Sequence, residues 1–191
     1  MTHFVGIVVG DELESQLKPY DENISVERYK NFYDYTPPSP DEPIEENKLP
    51  YPVYYAHTKG VDVHSLIEIN DCLVKMDWGG VEDGKVFEWS TYNPKSKWDW
   101  YSFGGRWEQW CTEQGFSPRT TVGEVEWDKI EFIPSVIVED GEWVEAKRFG
   151  WFGSYTETDE ADNWEEDWRQ YFKEMSTSHP ETTITFVDFH I

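Results

Sequence analysis

Cysteine and positive charge are both scarce in this chain of 191 residues. Its two cysteines, Cys72 and Cys111, are too few for a disulfide framework or a zinc motif, and neither has the basic surroundings that activate a thiol. Only 16 Lys and Arg residues stand against 39 Asp and Glu residues, which gives a formal net charge of −23. A field of this sign repels nucleic acid and anionic membranes, and it attracts basic partners.

Long apolar runs and familiar catalytic motifs are also missing. No stretch approaches the length that crosses a bilayer, and Met1–Gly6 lacks the basic and apolar regions of a secretion signal. Neither a phosphate-binding loop nor a nucleophile elbow is present. We therefore expect a cytoplasmic protein that has no cofactor, no bound metal and no catalytic residues, and that binds neither nucleic acid nor a membrane directly.

Aromatic residues are abundant, with eleven each of Trp, Tyr and Phe. They supply a large buried area per residue, so the pattern predicts an aromatic-rich core and argues against a disordered chain. The length fits a single domain over residues 1–191. Within it, Pro37, Pro38, Pro40 and Pro43 predict that the segment 36–50 is an irregular acidic loop.

Hydrophobic periodicity predicts an α+β fold, in which an antiparallel or mixed central sheet carries helices mainly on one face. The predicted strands are Phe4–Val9, Pro52–Ala56, Val86–Tyr92, a hairpin Ile130–Ala146 that turns at Asp140-Gly141, and Thr182–Ile191. The predicted helices are Val26–Tyr35, Val63–Met76 with Asp62 as its N-cap, and about Trp164–Met175. The two terminal strands are both strongly apolar, so we expect them to be central and adjacent.

The segment Asn93–Trp107 concentrates scarce cations among tryptophans and a glycine pair. Such a composition suits a nucleotide ligand, since the cations would neutralise phosphate, the glycine backbone would approach it and a tryptophan would stack on the base. The candidate ligand-binding residues are Lys95, Lys97, Trp98, Trp100, Gly104, Gly105 and Arg106. The alternative is a structural turn in which the rings pack into the core and the cations pair with neighbouring carboxylates.

Asp188 and His190 lie two residues apart on the last predicted strand, and therefore share one face. If His3 lies on the adjacent strand, the three side chains could form a metal site or an acid–base pair. The alternative is a buried histidine held by a carboxylate, because no further ligands stand at metal-binding spacing.

Carboxylates are densest near the predicted C-terminal helix. The candidate partner-binding residues there are Glu157, Asp159, Glu160, Asp162, Glu165, Glu166 and Asp167. A second run consists of Asp41, Glu42, Glu45 and Glu46. Carboxylates on a rigid scaffold can occupy a channel built for nucleic acid, and the alternative for each run is a solvated surface.

Three segments together resemble a family of uncharacterised acidic proteins encoded by bacteriophages and integrated mobile elements. They are Asn93–Trp107, the hairpin Glu139–Trp143 followed by Gly150-Trp151-Phe152-Gly153, and the ending Thr185–Ile191. The family supplies no activity and no site residues, but the resemblance implies a mobile-element origin and interference with a host system.

These observations predict a non-enzymatic inhibitor of a host defence system, acting in the cytoplasm of a bacterial cell. Its partner would be a basic, nucleic-acid-handling protein such as a CRISPR effector or a restriction enzyme. The alternative function is binding of an immune signalling nucleotide, either to sequester it or to modify it, through the loop that contains Lys95, Lys97 and Arg106.

Overall fold

A computed structural model describes residues 2–39, 41–42, 44–149 and 154–191. The chain divides into two compact units, one formed by Met1–Ile24 with Asn93–Ile191 and the other by Ser25–Tyr92. Helices and mainly antiparallel strands alternate irregularly along the chain, which confirms the predicted α+β class. The prediction of one domain over residues 1–191 stays a prediction.

The strands are short, apart from the two near the chain ends. In chain order they are β1 (His3–Val9), β2 (Tyr29–Tyr33), β3 (Gly79–Glu82), β4 (Lys85–Ser90), β5 (Trp100–Phe103), β6 (Arg119–Thr121), β7 (Val136–Glu139), β8 (Glu142–Glu145), β9 (Lys147–Phe149), β10 (Tyr155–Glu157) and β11 (Thr183–His190). The helices are α1 (Leu13–Leu17), α2 (Tyr51–Thr58), α3 (Leu66–Lys75), α4 (Glu108–Glu113) and α5 (Trp164–Ser178).

The first unit contains a mixed sheet with the strand order β5-β11-β1-β7-β8, and β6 also pairs with β11. Strand β1 runs antiparallel to β11 and parallel to β7, so the predicted central position and adjacency of the terminal strands are confirmed. Strands β7 and β8 form the predicted hairpin. Asp140 and Gly141 have φ angles of 49° and 78°, as a two-residue type I′ turn requires.

Side chains alternate between the two faces of this sheet, and each face has its own core. Val5 and Ile7 point to the face covered by α4 and α5, and Phe4 and Val8 point to the face covered by the short helix α1. Helices thus pack mainly on one face, as the sequence predicts.

Helix α5 packs onto this sheet through an aromatic stripe. Trp164 and Phe172 are buried and Trp168 is half-buried, which confirms the predicted packing of these three rings. Phe172 stacks on Trp127, with 4.3 Å between the ring centroids. These aromatic residues hold α5 against the sheet. The opposite face of α5 carries charged residues.

The second unit combines a three-stranded sheet, β2-β4-β3, with α2 and α3. Helix α3 confirms the helix predicted over Val63–Met76, although its N-cap is Ser65 rather than Asp62. The Ser65 hydroxyl accepts a hydrogen bond from the Glu68 amide, whereas Asp62 accepts one from the His64 amide in the preceding turn.

Two local predictions in this unit are wrong. The helix predicted over Val26–Tyr35 is strand β2, because Tyr29–Tyr33 pairs with β4 and this long-range partner outweighs a chance helical spacing. The strand predicted over Pro52–Ala56 lies in α2. Pro52 stands in the first turn of that helix, where its missing N–H removes no hydrogen bond.

The acidic proline-rich segment 36–50 contains one short 3₁₀ turn, Glu46–Lys48, and is otherwise irregular in its described part. Its prolines Pro40 and Pro43 lie outside the described residues. In the part of the chain that the structure describes, no helix has both the length and the apolar character to cross a membrane.

Candidate functional site

The segment Asn93–Trp107 begins with a turn built on a buried asparagine. The Asn93 side-chain amide donates to the carbonyl oxygens of Pro19 and Asp21, at 2.8 and 3.0 Å, and its oxygen accepts from the Lys95 amide. Trp98 is buried in the core beneath α1. This part of the segment therefore holds the fold together, as the structural alternative predicts.

Lys97 is bound to a protein carboxylate. Its Nζ lies 2.7 Å from Oε1 of Glu145, which is buried and also accepts hydrogen bonds from Trp143 and Arg148. Burial alone would raise the pKa of Glu145, but the hydrogen bonds from Lys97, Trp143 and Arg148 outweigh it and lower that pKa. Lys97 is thus held in an ion pair with Glu145, which Arg148 shares.

The other predicted cations do not join Lys97. Glu145 belongs to β8 at one edge of the sheet, whereas Arg106 follows β5 at the opposite edge. Lys95, Trp100 and Arg106 are exposed. The structure therefore does not assemble Lys95, Lys97 and Arg106 into one anion site, and the nucleotide alternative lacks that support.

The glycine pair allows the backbone to approach a protein carboxylate closely. Gly104 and Gly105 have φ angles of 63° and 50°, in the left-handed region that favours glycine. A Cβ atom on Gly105 would lie 2.5 Å from Oδ2 of Asp188, and the same oxygen accepts a hydrogen bond from the Arg106 amide at 3.1 Å. The close backbone approach predicted for a phosphate is made here to Asp188.

Asp188, His190 and His3 do come together at one end of the central sheet. His3 lies opposite His190 in the β1–β11 register, and the centroids of their rings are 4.9 Å apart. His3 Nδ1 is 3.1 Å from Oδ1 of Asp188, whose residue is 1% exposed. The spatial grouping predicted from strand alternation is correct.

A second carboxylate, Asp99, completes this cluster and was missed in the sequence. Its Oδ1 lies 2.5 Å from His190 Nδ1, while Trp100 stacks on the His190 ring at 5.1 Å. The signal was available, because Asp99 immediately precedes Trp100, which pairs with His190 across β5 and β11. Each histidine therefore lies against its own carboxylate, an arrangement that orients both rings through Nδ1.

The chemistry open to this cluster is limited. Over residues 2–39, 41–42, 44–149 and 154–191, no three potential ligand side chains converge as a metal ion requires. His190 and Asp188 are almost fully buried. The arrangement matches the buried histidine held by a carboxylate, and its clearest role is to tie the two terminal strands together.

A pocket of about 480 Å³ opens beside His3, and it is lined by residues of both cores of the first unit. Aromatic side chains that line it include Trp107, Phe132, Phe149, Tyr155 and Trp164. These residues come from five separate segments of the first unit, so no local sequence pattern reveals the pocket. Its polar groups include His3, Lys147, Glu157 and Glu165.

The predicted acidic residues are exposed and lie along one continuous segment of the chain, which we call the acidic strip. It follows β10, the 3₁₀ turn Asp159–Ala161 and the first turn of α5. Its members, all exposed, are Glu157, Asp159, Glu160, Asp162, Glu165, Glu166 and Asp167. Within the described part of the chain, Glu165 alone among them is held in an ion pair, with Arg169 at 3.3 Å.

The second acidic run, in the other unit, has two carboxylates in contact with basic side chains. Glu45 pairs with Lys48 at 2.8 Å, and Glu46 lies 3.6 Å from His57. Its carboxylates are therefore less available to a partner than those of the acidic strip.

Both cysteines are free, with Cys111 buried and Cys72 half-buried. Burial raises the pKa of the Cys111 thiol to about 11, which keeps it protonated at neutral pH. This agrees with a structural rather than a catalytic role.

Comparison of the chain with protein families, with curated proteins and with solved structures found no match. The resemblance to acidic phage proteins therefore stays a prediction. One of its motifs, Gly150-Trp151-Phe152-Gly153, lies outside the described residues.

Proposed function

We propose that this protein is a non-enzymatic, phage- or mobile-element-encoded inhibitor of a host defence system. It binds a basic, nucleic-acid-handling protein, of the type of a CRISPR effector or a restriction enzyme, through the acidic strip. The observation that carries the proposal is the strip itself: seven exposed carboxylates follow one another along ordered elements, and one of them is ion-paired among the described residues.

The α5 end of the strip is anchored on the core of the first unit. Trp164 is buried directly beside Glu165, and its Nε1 donates to the Pro134 carbonyl at 2.9 Å. Glu165 itself accepts a hydrogen bond from the Ile133 amide at 2.8 Å. A carboxylate held in place in this way, as Glu165 is, loses little conformational entropy on binding.

Electrostatics favours a basic protein over nucleic acid as the partner. The formal net charge of −23 attracts a basic surface over long range and accelerates encounter, while it repels phosphate groups. The same field opposes the alternative, a nucleotide bound near Lys95, Lys97 and Arg106. Since Lys97 is already engaged with the carboxylate of Glu145, we rank that alternative second.

A panel of bacterial strains, each carrying one defence system, tests the proposal. Expression of the chain should restore phage growth in at least one strain, and the purified chain should bind that system's nucleic-acid-handling protein. Reversal of two strip charges, in Glu166→Lys/Asp167→Lys, should weaken both effects. The matched control is Glu12→Lys/Glu14→Lys, which makes the same charge change on exposed residues at α1.

Two results would count against the proposal. One is that no strain in a broad panel is rescued. The other is that both double variants inhibit as well as the parent, because binding would then not depend on the acidic strip.

A further inference from the structure

The pocket beside His3 has walls suited to a flat cation. Trp107, Phe149, Tyr155 and Trp164 contribute aromatic rings, and the face of such a ring carries negative electrostatic potential. Part of this capacity is already in use within the chain. Lys147, which lines the pocket, places its Nζ 4.8 Å from the centroid of the Tyr155 ring.

Carboxylates of the acidic strip extend into this pocket. Glu157 and Glu165 belong to the strip and also line the pocket, so the two features are continuous. Glu157 lies opposite Lys147 in the β9–β10 register, but within the described residues it forms no ion pair. Glu165 is already paired with Arg169, so Glu157 is the lining carboxylate that has no ion pair among the described residues. Lys147 is the one lysine or arginine among the described lining residues, and the surrounding field of the chain is negative.

We propose that this pocket binds an arginine side chain that the basic partner presents, and that it anchors the complex formed by the acidic strip. The inference rests on the proposed function and deepens it. A guanidinium group is planar, stacks on aromatic faces and donates paired hydrogen bonds to a carboxylate. Arginine and aromatic residues are also the side chains that most often carry the binding energy of an interface.

The first test uses a small probe and no host partner. The blocked tripeptide acetyl-Gly-Arg-Gly-amide is titrated into the isotope-labelled full chain, and the indole N–H signals are followed by NMR. The signals of Trp107 and Trp164 should shift, while that of Trp98, which is not among the described residues that line the pocket, should not. The same peptide with citrulline, the neutral isostere of arginine, should bind roughly tenfold more weakly.

Two matched variants test whether the arginine peptide binds at the pocket or elsewhere along the acidic strip. Glu157→Gln removes a carboxylate of the pocket and should weaken the arginine peptide roughly threefold, as expected for a partly exposed ion pair. Glu160→Gln removes a strip carboxylate outside the pocket and should have a smaller effect. Both residues are exposed, so neither variant threatens the fold.

Several outcomes would overturn the pocket assignment: unshifted Trp107 and Trp164 signals, equal binding of the citrulline peptide, or shifts with adenosine monophosphate in place of the arginine peptide. None of these results tests the acidic strip. The double charge reversals would still decide whether the proposed function is correct. Conversely, if the peptide binds as expected but those reversals leave inhibition unchanged, the proposed function fails and the pocket remains.

Discussion

Asp188 on the last strand accepts a hydrogen bond from His3 on the first, with 3.1 Å between His3 Nδ1 and Asp188 Oδ1. The same carboxylate accepts from the Arg106 amide, so one buried side chain joins β1, β11 and the turn after β5. The glycine at position 105 is what allows the turn to approach so closely.

Asp188→Asn should destabilise the chain by about 2 kcal/mol, because it removes the charge from two hydrogen bonds that are shielded from water. Chemical denaturation measures the free energy of unfolding. The control is Asp162→Asn at an exposed position, which should change that free energy by about 0.5 kcal/mol or less. Equal effects of the two substitutions would contradict the role given to Asp188.

Gly105→Ala should cost more stability than Gly115→Ala. Both glycines have positive φ angles, of 50° and 92°, so each substitution carries a backbone cost of about 1–2 kcal/mol. Only at Gly105 would the new Cβ also meet Asp188, whereas nothing lies within 4 Å at Gly115. Denaturation of the two variants side by side measures the difference. A cost at Gly115 equal to or above that at Gly105 would refute the close approach.

Phe172→Ala should lower the free energy of unfolding by about 3–5 kcal/mol, since this ring is fully buried against Trp127. Trp168→Ala should cost less, because Trp168 is half-buried and part of its area already faces water. Thermal or chemical denaturation ranks the two variants. The reverse order would mean that α5 packs on the sheet through a different face.

Cys111 should stay unreactive toward a thiol reagent at pH 8 in the folded chain, whereas Cys72 should react faster. Burial raises the pKa of Cys111 from an ordinary 9.0 to about 11, so the unfolded chain loses this proton first as the pH rises. The contribution of Cys111 to stability is therefore complete below pH 9 and is lost as the pH rises toward 11. Over that range, Cys111→Ala should show a smaller fall in stability than the parent, and an equal fall would contradict the assignment.

Elements with a strong local pattern could be predicted from the sequence. The strands at the two termini are continuous apolar runs, the hairpin turns at Asp140-Gly141, and α5 carries aromatic residues on one face. Strand β2 and helix α2 could not be predicted, since their short segments fit either periodicity. The pairing of β2 with β4 and the position of Pro52 in a first turn decide between them.

Only the part of the candidate site that depends on strand alternation and strand adjacency could be predicted from the sequence. Alternation placed Asp188 and His190 on one face, and the adjacency of the terminal strands brought His3 to them. Lys97 and Glu145 are far apart in the sequence and meet only in the folded chain. The aromatic pocket likewise combines residues from five separate segments. Neither the ion pair nor the pocket can be predicted from a local sequence pattern.

Displacement of a labelled nucleic acid from the defence protein that the strain panel identifies tests the central claim most directly. If the acidic strip occupies the nucleic-acid channel, the chain should displace the nucleic acid competitively. Its apparent affinity should fall steeply with added salt, and Glu166→Lys/Asp167→Lys should displace far less than Glu12→Lys/Glu14→Lys. A ternary complex of chain, defence protein and nucleic acid, or displacement unaffected by the strip reversal, would contradict the account.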